Sequence, residues 1–201
     1  MPMNILIAGA TGKTGQILTR NLVGDGHSVT ALVRESSDTA TLPKDATLRQ
    51  GDLTDLPADV CKGADVVVFA AGSGGGTSAE MTDKVDRDGA IALIDRAKAA
   101  GVDRFVMLSS VGADQDNPDG PLAHYLKAKH AADTHLQGSG LTYAIIRPVA
   151  LTDDGGTTKV VLGDKVDTSA TATRTDVAKV LAEAATAGTL DGQAVNMQSV
   201  V

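Results

Sequence analysis

Short strand-like runs alternate along the chain with longer stretches whose apolar residues recur every three or four positions. Residues 3–8 read as a buried strand, and further strand-like runs lie at 28–33, 47–51, 64–70, 104–109 and 142–147. Helical spacing covers 16–23, 90–100 and 122–136, the last closed by Gly138-Ser139-Gly140. This alternation predicts an α/β fold: a doubly wound parallel sheet with crossover helices on both faces. Beyond Pro148 the pattern weakens to a Gly155-Gly156 turn, a short strand near 159–162, a helix over 175–186 and a strand near 194–197. Residues from about 149 to 201 are therefore expected to form a small cap on the substrate side of the sheet, within a single domain spanning 1–201.

The first strand runs into Gly9-Ala10-Thr11-Gly12-Lys13-Thr14-Gly15, and a helix follows. Strand, tight turn and helix N-terminus in that order suit a dinucleotide pyrophosphate. Gly9 allows the sharp turn, Gly12 a close approach of backbone to ligand, and Gly15 tight packing of helix on strand. The free amides and the helix dipole then favour a phosphate. A triphosphate loop would need glycine five residues before Gly12, where Ile7 stands. The second strand ends in Val33-Arg34 with no acid at its tip, so Arg34, with Lys13, is expected to meet a 2′-phosphate. NADP is thus favoured over NAD. Asp52, before Leu53, either accepts from the adenine amino group or caps a turn. The stretch Gly72-Ser73-Gly74-Gly75-Gly76-Thr77-Ser78 follows the fourth strand, where ligands of such sheets bind, and reads either as a lid or as a plain connector.

Composition narrows the partners. A formal charge of -7 without a run of Lys or Arg argues against nucleic acid and membrane surfaces. The lone Cys61, the absence of a charged leader or apolar signal and the lack of any membrane-length apolar run point to a reducing cytoplasm. With no Trp, two Phe and two Tyr, the core must be aliphatic. His124, His130 and His135 have no carboxylate or thiol cluster around them in the sequence, so no metal is expected. Tyr125 and Lys129, four apart on a predicted helix, share one face. An ammonium there favours the ionised form of a phenol whose unperturbed pKa is about 10.

The glycine loop, Ala70-Ala71-Gly72, the run from Gly101 to Ser110, Tyr125-Leu126-Lys127-Ala128-Lys129 and Arg147-Pro148 occur in one order along almost the whole chain. Together they resemble the short-chain dehydrogenase/reductase superfamily, most closely its atypical, NmrA-like NAD(P)-binding branch. The resemblance implies a Rossmann fold and hydride transfer between nicotinamide and a small carbonyl or quinone-like substrate. It places the family's catalytic triad on Ser110, Tyr125 and Lys129, with Ser110 ending the fifth strand and holding the reacting oxygen. Lys129 would also hold the nicotinamide ribose, and Pro148 would bring backbone near the nicotinamide; Ala70, Ala71 and Gly72 would line the cofactor. One departure stands out: Asp86 occupies the place of a helix asparagine that completes a proton relay in many active relatives. The branch also contains redox sensors that bind NADP without turnover and epimerase-like proteins. Both remain alternatives to an oxidoreductase acting, as monomer or homodimer, on a small molecule.

Overall fold

The apolar parity of the strands decides how the sheet is covered. A computed structural model describes residues 1–74, 76–157 and 159–200. In chain order its strands are β1 (Asn4–Ala8), β2 (Ser28–Val33), β3 (Thr47–Gln50), β4 (Val66–Phe69), β5 (Arg104–Leu108), β6 (Thr142–Pro148), β7 (Ala150–Thr152), β8 (Val160–Leu162), β9 (Thr171–Thr173) and β10 (Gln193–Ser199). Ile5, Ile7, Val66, Val68, Val106 and Ile146 point to one face, where α1 (Lys13–Gly24) and α5 (Arg174–Ala187) cover them. Leu6, Ala8, Val67, Phe69, Phe105, Met107 and Ile145 point to the other, beneath α3 (Ala90–Ala99) and α4 (Ala123–Gly138). Successive residues of a strand face opposite ways, so strands apolar at every position need cover on both sides. The doubly wound expectation is met.

The main sheet runs β3-β2-β1-β4-β5-β6-β10-β8 and is parallel except for β8, which is antiparallel to β10. From β1 the chain winds outward to β2 and β3, and from β4 it winds the other way. The order therefore reverses between β1 and β4, and a crevice opens beyond their carboxyl ends. Helix ends are set locally. The Thr173 side chain accepts from the Asp176 amide at the start of α5, and Gly188, at φ 66°, ends it in the left-handed region.

Four features depart from the pattern-based reading. The helix after β1 begins at Lys13 rather than near residue 16, because the glycine loop itself turns into it. Before α3 lie a short α2 (Ala79–Thr82) and a π-helical turn, Asp83–Gly89, neither visible in the periodicity. β7 and β9 form a separate parallel ribbon of three-residue strands, too short to leave an alternation. β5 ends at Leu108, so Ser109 and Ser110 lie just past the strand rather than on it.

Candidate functional site

The glycine loop has the shape of a phosphate cradle. A Cβ on Gly9, at φ +86°, would stand 2.5 Å from the Ala71 amide nitrogen, and one on Gly15 would stand 2.0 Å from the Gly9 oxygen. Gly12 is the residue before α1; no side chain caps it and no acid stands in the first turn of the helix. Backbone amides at the start of α1 are thus left facing the crevice, an arrangement suited to pyrophosphate.

Two cavities flank the loop, and Gly12, Ala70, Ala71, Gly72 and Ser73 line both. The smaller, about 290 Å³, adds Gly9, Thr11, Arg34, Ser37, Asp52 and Leu53. The Ser37 hydroxyl accepts from the Arg34 amide at 3.0 Å, which shapes the loop beneath the guanidinium. Asp52 serves the turn: its Oδ1 accepts from the amide and the hydroxyl of Thr54, both at 2.8 Å. Those bonds hold its carboxyl below the usual range, with a lesser contribution from Arg34. These residues suit the adenosine end of a dinucleotide.

The larger cleft, about 660 Å³, holds Lys13, Thr14, Ser109, His124, Tyr125, Lys129, Asp86 and Arg174. α4 sets Tyr125 and Lys129 one turn apart, and Lys129 Nζ lies 5.6 Å from the centre of the Tyr125 ring. Lys129 is almost wholly buried, with Nζ 3.1 Å from Asp86 Oδ1 and 3.4 Å from the Leu108 carbonyl. Burial pushes this ammonium down, but Tyr125, Asp86 and Asp133 outweigh burial and carry its pKa above the ordinary lysine value. Asp86 is fully buried in the π-helical turn, and its other oxygen accepts from the Ser73 amide at 2.9 Å. One carboxylate therefore ties the lysine to the start of the loop after β4. Gly75 of that loop lies outside the described residues.

Ser110 is not brought to this cleft. Its hydroxyl donates weakly to the Val111 carbonyl at 3.4 Å, whereas Ser109 lines the cavity and donates to Asp133 at 2.9 Å. Asp133 also accepts from Arg147 at 2.9 Å; burial raises its carboxyl above the usual range against the pull of Arg147, Ser109 and Lys129. Pro148 is buried at the end of β6, its carbonyl accepting from the Val111 amide at 3.0 Å, and it lines neither cavity. Lys13 is likewise separated from Arg34: it pairs with Asp153, which also holds Arg174. The sequence reading missed Ser109, Asp133, Asp153 and Arg174. Asp133 was within reach, since it stands four residues after Lys129 on the same helix.

The profile of the NAD(P)H-binding family matches residues 9–187. The chain belongs to this NAD(P)H-binding family. Its neighbours fall among the NAD-dependent epimerase/dehydratases and the atypical short-chain dehydrogenase/reductases. The Bacillus subtilis protein named "Uncharacterized sugar epimerase YhfK" is 38% identical over 89% of this chain and 86% of its own length. A candidate NAD-dependent epimerase/dehydratase of Bacillus halodurans is 34% identical, covers 98% and 94% of the two chains and superposes with a TM-score of 0.91. The oxidoreductase ylbE of Lactococcus lactis is 31% identical, covers 98% and 91%, and superposes at 0.86. The family is thus oxidoreductase- and epimerase-like. Among its described residues no helix is long and apolar enough to cross a membrane.

Proposed function

We propose that the chain is an NADP-dependent oxidoreductase that reduces or forms a small carbonyl or quinone-like group. The observation that carries this reading is the placement of Tyr125 and Lys129 in the same cleft that begins at the glycine loop. When bound, the nicotinamide supplies or accepts the hydride. Tyr125 passes a proton to or from the reacting oxygen, and the buried Lys129 ammonium stands 5.6 Å from the centre of its ring. Ser110 does not line the cleft, and Ser109, which does, has its proton committed to Asp133. Asp86 pairs with the buried Lys129 ammonium and holds it in place. The buried, unpaired thiol of Cys61 suits a reducing cytoplasm.

NADP is favoured because Arg34 lines the smaller cavity and no acid stands at the tip of β2. Arg34→Ala should weaken NADPH binding by roughly tenfold or more and NADH binding little; an equal loss for both would remove the 2′-phosphate contact. A carbonyl and quinone screen with NADPH tests the chemistry, with Tyr125→Phe beside the wild type. Loss of a proton donor should lower turnover by about a hundredfold, and equal rates would take Tyr125 out of the mechanism. A second reading, an NADP-bound sensor without turnover, draws on Asp86, which already meets the Lys129 charge. Tight NADPH binding with no turnover on any substrate would favour it.

A further inference from the structure

Two cations from distant parts of the chain meet at the mouth of the larger cleft. Lys13 is the first residue of α1 and Arg174 the first of α5. Both line the cavity that holds Tyr125 and Lys129, and neither lines the one that holds Arg34. A single carboxylate serves them: Asp153, just past β7, accepts from Lys13 Nζ on Oδ2 at 2.5 Å and from Arg174 Nη1 on Oδ1 at 2.6 Å. Each cation binds a different oxygen of one planar group.

The position of these cations works against the helices they begin. A positive side chain in the first turn opposes the macrodipole, whose N-terminal end is already positive. Two such residues facing one cleft, in a chain of net charge -7, make a local excess that one carboxylate only halves. Lys13 and Asp153 are 68% and 58% exposed, whereas the Arg174 side chain is only 22% exposed. Arg174 is therefore the anchored member of the trio, and the carboxylate, open to solvent, can leave it. The backbone amides at the start of α1 suit the pyrophosphate of a dinucleotide without either side chain.

We propose that Lys13 and Arg174 form an oxyanion subsite for the substrate, taking a carboxylate or a phosphoryl group, and that Asp153 fills this subsite in the free protein. The inference rests on the larger cleft being the substrate site. An anionic substrate would displace Asp153, and the cap would shift with it.

Inorganic phosphate is the probe, titrated by calorimetry at constant ionic strength into protein saturated with NADP⁺. NADPH affinity is measured in parallel from the fluorescence of the nucleotide, which no tryptophan of this chain obscures. Phosphate should bind the saturated protein; Asp153→Asn should tighten it about threefold and Arg174→Ala weaken it about tenfold, with NADPH affinity within about twofold of wild type. Arg174→Gln, which keeps more of the packing, should show the same loss. Two results would overturn the proposal: no phosphate binding to either wild type or Asp153→Asn, or phosphate that competes with NADPH. The latter would give the two cations to the cofactor instead. Failure of every carbonyl to turn over would end the proposed reaction without touching this binding result.

Discussion

At the residue scale, the three loop glycines are not equivalent. A Cβ on Gly15 collides with backbone of the preceding turn at 2.0 and 2.8 Å, whereas one on Gly12, which is not in the left-handed region, meets only the Gly9 oxygen at 3.3 Å. Gly15→Ala should thus destabilise the fold by about 3 kcal/mol in urea unfolding, through a clash the backbone cannot avoid. A loss below about 0.5 kcal/mol would show that the turn yields. These glycines were legible because their spacing is the signal. The facing of a hydroxyl is not written in sequence: Ser109 and Ser110 are neighbours, yet the buried Asp133 claims one and leaves the other to Val111. Nor could Asp153 and Arg174 be paired beforehand, since they stand 21 positions apart and the β7–β9 ribbon brings them together.

At the scale of elements, long apolar patterns were read well and short or irregular ones were not. β2 matches its expected bounds, and α3 and α4 lie within two residues of theirs at each end. The π-helical turn escaped because an extra residue in a helix shifts the phase of its faces without changing the residue types in it. α5 offers a direct test of local signals. Its Thr173 hydroxyl accepts from the Asp176 amide at 3.1 Å, and the Thr173 amide donates to Ser199 at 3.0 Å. Thr173→Ala removes the first bond and keeps the second, so thermal unfolding should report a loss of about 1 kcal/mol. No change would mean that water or another group caps the helix equally well.

At the scale of the whole molecule, the sheet divides the interior into two cores, and Cys61 lies in the one beneath α3 and α4. It is 1% exposed, and burial pushes its thiol up to about 11 despite the nearby Arg49 and Arg96. A disulfide reagent at pH 8 should leave the native protein unmodified over minutes and react with one thiol per chain in guanidinium. Rapid reaction of the native state would reveal an opening of that core. The strand order carries a further consequence. β10 lies between β6 and β8, and Ser199 at its end bonds both Thr173 and Asp176. On a ribosome, the glycine loop and the β1–β4 crevice have all their sheet partners once β5 has emerged. β8 must wait for a strand made after it. The strands that flank the crevice are therefore made before α5, which covers one face of them, and β8 is fastened only after α5 has been made.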